Sequence, residues 1–168
     1  MEDELLNEVD ENDAVIGPRT RGELHRLGLR HRAVHILVFN AQGDLFLQKR
    51  SANKDINPNL WDTSAAGHVD RGESYDEAAR RELMEELGID GTLTLRAIFK
   101  LPSSPETGWE FIQVYTMTHD GPLQLNADEI TNGQWIHPAK LDDWIYQGGD
   151  GLTRSFQSLW QVFRLIRP

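Results

Sequence analysis

Three glutamates near the end of one predicted helix are the residues whose types and spacing could do chemistry. They are Glu82, Glu85 and Glu86, and on a helix they share an arc of roughly 100°. The arrangement destabilises an isolated helix, because like charges four residues apart repel and the helix dipole disfavours carboxylates near its C-terminal end. Clustered carboxylates suit hard divalent cations, which commonly join one or two of them to a substrate phosphate. The cluster predicts a Mg²⁺ or Mn²⁺ site, although three glutamates alone are more typical of a solvated acidic face.

The element that must position these glutamates is a helix over residues 75–87. Ser74 precedes Glu77 by three residues, the spacing of a capping box that satisfies two amide donors. Gly88 then supplies a stop, where left-handed backbone is least costly. One face of this helix is an apolar stripe, which we expect to pack against a sheet. The stripe consists of Tyr75, Ala79, Leu83 and Leu87.

The glutamates belong to a longer pattern that begins before the helix. It consists of Gly67-His68-Val69-Asp70-Arg71-Gly72-Glu73, seven further residues, and Arg81-Glu82-Leu83-Met84-Glu85-Glu86-Leu87-Gly88-Ile89. This segment fits every fixed position of the Nudix box, G-x5-E-x7-R-E-U-x-E-E-x-G-U, where U is a bulky aliphatic residue. The chain therefore resembles a Nudix protein over residues 67–89.

The resemblance implies roles for the residues of the box. It assigns the metal to the three helix glutamates, and Gly67 is expected to keep the backbone close to the metal or a phosphate. It assigns Glu73 and Arg81 to the orientation of the helix carboxylates. One of the three glutamates, or Glu110, would take the proton of the attacking water.

Composition limits the other classes of function. The 168 residues contain no internal repeat and are expected to form one domain, residues 1–168. A net charge of −10, from 27 acidic and 17 basic residues, argues against nonspecific binding to nucleic acid or an anionic membrane. The absence of cysteine excludes disulfides, thiolate metal sites and cysteine nucleophiles. Without a membrane-length apolar run or a basic signal-peptide head, a cytoplasmic location is expected, and oligomeric state is left open.

The remaining pattern predicts an α/β fold, specifically the α/β/α sandwich with a mixed central sheet that the Nudix resemblance also implies. Residues 1–30 are expected to form a hairpin, with strands at 5–9 and 14–16, and a short helix that runs from the Thr20–Glu23 capping box to Gly28. The other predicted strands are 33–39 and 45–48, interpreted as a central hairpin, then 93–101, 111–117 and 135–136. The other predicted helices are 138–146, which Pro138 opens, and the C-terminal helix 152–168, whose aromatic stripe is interpreted as core.

Three stretches outside the box resemble type 1 isopentenyl diphosphate isomerase and its bacterial Nudix relatives. They are residues 28–34, 48–54 and 60–68. In the isomerases, residues at the positions of His31 and His68 help to bind a divalent metal, and cations at the positions of Arg50 and Lys54 hold the diphosphate. Glu110 falls near the catalytic glutamate of the isomerases.

One departure from the isomerase pattern decides against isomerisation. The isomerases use a cysteine immediately before the Gly-His pair, and this chain has Ala66 there. Without the thiol, allylic proton transfer lacks one of its two acid or base groups. Two alternatives stay open. His25, His31 and His35 are either metal ligands or ordinary histidines, and the cations in the loop 50–60 are either phosphate contacts or solvated charges.

The expected function is metal-dependent hydrolysis of a diphosphate linkage in a small molecule of the type nucleoside diphosphate joined to a group X. Arg50, Lys54, His68 and Trp109 are the expected substrate-binding residues, although Trp109 and Phe111 are also consistent with core packing. An isomerase-like enzyme and a noncatalytic nucleotide-binding protein are the alternatives.

Overall fold

The computed structural model describes residues 2–167. Within them the helices are α1 (Arg21–Leu27), α2 (Tyr75–Leu87), α3 (Pro138–Tyr146) and α4 (Arg154–Ile166). The strands are β1 (Leu5–Val9), β2 (Val15–Thr20), β3 (His31–Phe39), β4 (Leu45–Arg50), β5 (Trp61–Asp62), β6 (Ala65–His68), β7 (Arg96–Leu101), β8 (Glu110–Thr118) and β9 (Ile130–Ile136). None of these helices, within the described residues, has the length and apolar character needed to cross a membrane.

A mixed seven-stranded sheet is the centre of the fold, in the order β5-β4-β3-β8-β7, with β6 paired to β3 and β9 paired to β4. Strand β3 runs parallel to β8, from the His31–Glu110 pair to the Phe39–Thr118 pair. On its other edge β3 is antiparallel to β6, where His35 is paired with Ala66. The first half of β3 therefore lies between β6, which contains the start of the Nudix-like box, and the start of β8.

Helices cover both faces of this sheet, which confirms the predicted α/β/α arrangement. Alternate residues of β3 face opposite cores. Val34 and Ile36 pack in the core that contains Leu83 and Leu87 of α2. Ala33 and Leu37 pack in the second core, which contains the apolar stripe of α4: Phe156, Leu159, Trp160 and Phe163. The aromatic stripe is thus core, as predicted.

Helix α2 has the predicted bounds and buried stripe. Ser74 Oγ accepts a hydrogen bond from the Glu77 amide at 3.1 Å, and Gly88 ends the helix with a left-handed φ of 70°. The capping contact differs in one respect, because the Glu77 carboxylate accepts from the Ser74 hydroxyl at 3.2 Å rather than from the Ser74 amide. A complete capping box is present at the start of α1, where the Thr20 amide donates to Glu23 Oε2 at 3.0 Å.

Several element boundaries differ from the prediction. The expected central hairpin is wrong in its pairing, because β3 and β4 pair only at Phe39 and Leu45 and β6 takes the rest of that edge of β3. The strand expected at 93–101 begins at Arg96, after a turn in which the Leu95 amide donates to the Gly91 carbonyl. The strand expected at 135–136 is the end of the longer β9.

The C-terminal helix expected from residue 152 begins at Arg154, because Thr153 is its N-cap and accepts from the Phe156 amide at 3.2 Å. The N-terminal hairpin is confirmed, with a second strand that extends to Thr20. Residues 1 and 168 of the predicted segments lie outside the described part of the chain.

Candidate active site

One cavity of about 760 Å³ brings together most of the residues expected at the site. Strand β6, helices α1 and α2, the loop after β4 and the start of β8 all contribute to it. The expected site residues in its lining are Arg50, Lys54, Gly67, His68, Arg81, Glu82, Glu85, Glu86, Trp109 and Glu110. Glu73 is the one expected residue outside the lining, and it acts on the cavity only through Arg81.

Glu86 is the most buried of the three helix glutamates. It is 5% exposed, and its Oε1 accepts from Gln48 Nε2 at 2.9 Å and from the Ala66 amide at 3.0 Å. Burial raises the pKa of Glu86, although these two hydrogen bonds act in the opposite direction. The contacts hold one carboxylate oxygen, so Oε2 is left available for another ligand.

Glu82 lies beside Glu86, and its pKa is raised further than that of Glu86. Burial raises the pKa of Glu82, and the charge of Glu86 raises it further. A Cβ atom on Gly67 would lie 2.2 Å from the Glu82 carboxylate. The absence of a side chain at Gly67 on β6 therefore leaves space for the side chain of Glu82 on α2. Glu85 has a 55% exposed side chain at the cavity mouth.

Arg81 connects these carboxylates to the start of the box. Its Nε donates to Glu73 Oε1 at 2.6 Å, and its Nη2 donates to Glu73 Oε2 at 3.0 Å. Its Nη1 donates to Glu82 Oε1 at 2.7 Å and its Nη2 to the His68 carbonyl at 3.0 Å. Glu73 is held in turn by the Asp70 amide at 2.9 Å. The bidentate pair orients Glu82, the geometry that the predicted supporting role requires.

Arg50, at the end of β4, and Lys54, in the loop that follows it, line the same cavity as the carboxylates. The Arg50 guanidinium donates to the Ile56 carbonyl, with Nη2 at 2.8 Å, and lies 3.7 Å from Asp62. Lys54 contacts Glu129 in an ion pair. Burial lowers the pKa of Lys54, and the nearby Arg50 lowers it further. The loop therefore presents positive charge toward the cavity.

Three histidines and Glu110 form a second group of potential metal ligands. Ligand atoms of His25, His31, His68 and Glu110 all lie within 4.8 Å of one another. His68 Nε2 is 2.9 Å from Glu110 Oε2, and His31 Nε2 is 3.4 Å from the same oxygen. His31 is 1% exposed, and its Nε2 is one of two buried side-chain atoms that lack a hydrogen-bond partner among the described residues.

The protonation tendencies of this histidine group favour metal binding. Burial lowers the pKa of His25 to about 4, with smaller contributions from His68 and His31, so His25 is neutral at pH 7. Burial alone would raise the pKa of Glu110, but contacts with His31 and His68 hold it well below its usual value. A neutral imidazole at His25 and an ionised carboxylate at Glu110 are the forms that bind metals.

Trp109 and Phe111 have different surroundings. Phe111 is 6% exposed and is part of the packed sheet, so the core interpretation holds for it. Trp109 lines the cavity with a left-handed φ of 65°, and Arg30 lies over its ring at 5.6 Å from the centroid. The His31 amide donates to the Trp109 carbonyl at 3.1 Å, which ties this residue to the start of β3.

Sequence reasoning missed the residues that hold the expected ones in place. The sequence places Gln48 in a strand and in the isomerase-like stretch 48–54 without giving it a role, and in the structure its Nε2 donates to Glu86. It gives no role to Glu129, which pairs with Lys54. No local pattern marks either residue, because each acts on a partner far away in the chain. His25 was an open alternative, and only the position of α1 places it beside His31 and His68.

Comparison with known proteins defines the class of protein. Residues 29–156 match the family profile described as NUDIX domain. An uncharacterized Nudix hydrolase of Pseudomonas aeruginosa is 40% identical over 136 residues, 80% of this chain and 79% of the relative. A crystal structure of a Deinococcus radiodurans protein superposes with a TM-score of 0.82 at 33% identity and covers 94% of this chain and 98% of that one. The chain belongs to the Nudix family, and its relatives identify it as a Nudix hydrolase.

A second relative represents the other branch of the resemblance. An isopentenyl-diphosphate Delta-isomerase of Photorhabdus laumondii is 35% identical over 161 residues, 94% of this chain and 90% of the relative. Nudix enzymes generally use divalent metals, and two donor sets of this chain fit such an ion. The first is the group of helix carboxylates, in which burial raises the pKa values of Glu82 and Glu86, and the second contains His31 Nε2, which lacks a hydrogen-bond partner among the described residues.

Proposed function

We propose that this protein hydrolyses a diphosphate linkage in a substrate of the type nucleoside diphosphate joined to X, with Mg²⁺ or Mn²⁺ as cofactor. The observation that carries the proposal is the composition of one cavity, in which three carboxylates of α2 face Arg50 and Lys54. Carboxylates with a bound cation on one wall and cationic side chains on the other match a substrate with two adjacent phosphates.

Glu82, Glu85, Glu86 and the backbone of Gly67 would hold the metal. When bound, the ion supplies charge neutralisation of phosphate oxygens and helps to orient a water for in-line displacement. Glu73 and Arg81 hold Glu82 in its place. Arg50 and Lys54 bind the diphosphate, and Lys54 would exchange Glu129 for a phosphate oxygen. Trp109 and His68 lie on the wall where X would extend.

The candidates for the proton acceptor are not equivalent. Glu110 is a poor acceptor because contacts with His31 and His68 stabilise its ionised form. We therefore assign the proton of the attacking water to one of the helix glutamates and give Glu110 to the histidine group.

The histidine group is proposed as a second divalent metal site. Its donors are three imidazoles and one carboxylate, a set that suits Mn²⁺ and later transition metals better than Mg²⁺. The isomerase resemblance supports this assignment, because it places metal ligands at His31 and His68.

An isomerase-like activity is the second candidate, since a relative named as an isomerase covers 94% of this chain. Ala66 weighs against it. Its side chain lies in the cavity, where allylic proton transfer in the isomerases needs a thiol. A noncatalytic nucleotide-binding role is the third candidate function, and the complete Nudix box argues against it.

A substrate panel tests the proposal directly. The panel contains nucleoside diphosphates, dinucleotides, nucleotide sugars, coenzyme A and isopentenyl diphosphate, each with Mg²⁺, Mn²⁺ or chelator. We expect release of two phosphorylated products from at least one nucleoside diphosphate-X compound, with loss of turnover in chelator. Binding without turnover would support the noncatalytic role, and allylic product from isopentenyl diphosphate would support the isomerase. Either result would overturn the proposal.

A further inference from the structure

His35 faces the cavity from the middle of β3. The residue is 4% exposed, and it lies opposite Ala66 in the antiparallel pair of β3 and β6. Residues directly opposite each other in such a pair project from the same face of the sheet. Both residues line the cavity that also contains Glu82 and Glu86. The ring is thus fixed inside the sheet with one edge toward the space that a substrate would occupy.

The protein contacts one of the two ring nitrogens of His35. Its Nδ1 is 2.8 Å from Thr63 Oγ1, and Asp62 Oδ1 lies 3.7 Å from the same nitrogen. Thr63 Oγ1 also lies 3.3 Å from the Ala65 carbonyl, to which its hydroxyl can donate. Nε2 is therefore the ring nitrogen that is left for a ligand, as a donor or an acceptor according to the tautomer.

The Nε2 atom of His35 has no hydrogen-bond partner among the described residues, because the hydrogen bond of this side chain is made by Nδ1. The cavity lining also includes the polar side chains of Asp62, Thr107 and Thr153. A hydrocarbon placed against Nε2 would leave this polar atom unpaired and desolvated, which is unfavourable. A ligand hydroxyl, which can both donate and accept, would satisfy it.

We propose that the group X of the substrate carries hydroxyls, as a sugar does, and that His35 Nε2 forms a hydrogen bond with one of them. The inference rests on the proposed function, because it takes the diphosphate to lie at Arg50 and Lys54. His35 is then a specificity-determining residue. It selects a sugar-bearing diphosphate over a diphosphate with a hydrocarbon chain.

Two substitutions of His35 separate this role from a structural one. In His35→Gln the terminal amide reaches the position of Nε2, whereas in His35→Asn the amide reaches only the position of Nδ1. Binding to the full chain is measured by calorimetry, with ADP-ribose, isopentenyl diphosphate and inorganic pyrophosphate as probes. We expect His35→Asn to weaken ADP-ribose binding about 5- to 100-fold, His35→Gln to retain most of it, and pyrophosphate binding to stay unchanged in both. A purely structural role gives the opposite order, with Asn tolerated and Gln not.

A second measurement needs no variant. The imidazole ¹⁵N signals of the unmodified protein are recorded with ADP-ribose and with pyrophosphate, and the Nε2 signal of His35 should move only with ADP-ribose. Equal spectra, or tighter binding of isopentenyl diphosphate than of ADP-ribose, would overturn the inference. If the proposed function is wrong, metal-dependent turnover is absent, which is a different observation. The binding and spectral outcomes are read independently of turnover.

Discussion

Replacement of Glu86 by glutamine should make the metal-free protein more stable while it removes activity. The reason lies in the two hydrogen bonds that Glu86 accepts. Both go to Oε1, from Gln48 Nε2 at 2.9 Å and from the Ala66 amide at 3.0 Å. The carbonyl oxygen of a glutamine can accept the same two bonds. The substitution therefore keeps the shape and the contacts and removes a buried charge beside Glu82.

The magnitude follows from the pKa of Glu86, which burial raises from 4.5 to about 6. Because the folded-state pKa of Glu86 is raised, its contribution to the free energy of unfolding is complete below its unfolded-state pKa. This contribution is lost as the pH rises through the folded-state pKa. At about 1.4 kcal/mol per pKa unit, the ionised Glu86 costs the metal-free protein about 2 kcal/mol at pH 8. We therefore expect Glu86→Gln to raise the unfolding midpoint by about 4–8 °C at pH 8 and by little at pH 4.

Thermal unfolding in chelator at pH 4 and pH 8, then with excess Mg²⁺, measures this difference. The unmodified protein should gain stability from the ion, because a ligand of the native state shifts the equilibrium toward it. The variant should gain little and should lose at least about 100-fold in turnover. Glu77→Gln is the matched control, since it makes the same change on α2 outside the cavity, and it should keep its activity. A Glu86→Gln protein less stable than the unmodified one at pH 8 in chelator would refute the reasoning.

Two further predictions concern neighbouring residues. Gly67→Ala places a Cβ atom 2.2 Å from the Glu82 carboxylate, so we expect about 10- to 100-fold lower turnover in a protein that still folds; unchanged kinetics would mean that the position of Glu82 is unimportant. Burial lowers the pKa of His25 from 6.5 to about 4. The contribution of His25 to the free energy of unfolding is therefore complete above pH 6.5 and is lost as the pH falls through about 4. His25→Gln should therefore reduce the drop in unfolding midpoint between pH 7 and pH 4.5, and an equal drop in both proteins would contradict this.

The elements with local signals were predictable from the sequence. Helix α2 is bounded by Ser74 and Gly88, and α1 by Thr20 and Gly28; caps act within a few residues, so the sequence alone contains them. Strand pairing is different. The pairing of β3 with β6 and β8 brings together residues about 30 and 80 positions apart, and a hairpin was the simpler local choice. The missed edge of β3 is also the edge on which the site is built.

The candidate site divides in the same way. The box residues have a fixed spacing on one helix and its preceding loop, so their convergence follows from local geometry. Gln48, Glu129 and His25 reach the site from other elements, and single residues of these types are common without any function. Pattern reasoning could therefore identify the carboxylates and the pair Glu73 and Arg81 beside them, but not the supporting groups that come from other elements.

Ala66 is the position at which this chain differs from the isomerases, so a substitution there compares the hydrolase and isomerase branches directly. Its amide donates to Glu86 Oε1 at 3.0 Å, and its side chain lies on the same face as His35. A thiol there adds little volume to a cavity of about 760 Å³, so Ala66→Cys should fold with a modest packing penalty. Glu110, the other group that isomerisation would need, contacts His68 at 2.9 Å and His31 at 3.4 Å.

Those contacts hold the pKa of Glu110 well below its usual value, which makes it a weak base toward an allylic carbon. Catalytic groups also need support to well under about 1 Å, and one substitution does not supply it. We therefore expect no conversion of isopentenyl diphosphate by the unmodified protein and at most a trace by Ala66→Cys. The unpaired Nε2 of His35 predicts the same result, because it disfavours a hydrocarbon chain. Assay of both proteins for the allylic product is the measurement, with Ala66→Ser as the control of similar size. Clear isomerisation by the unmodified protein would overturn both the hydrolase assignment and the role given to His35.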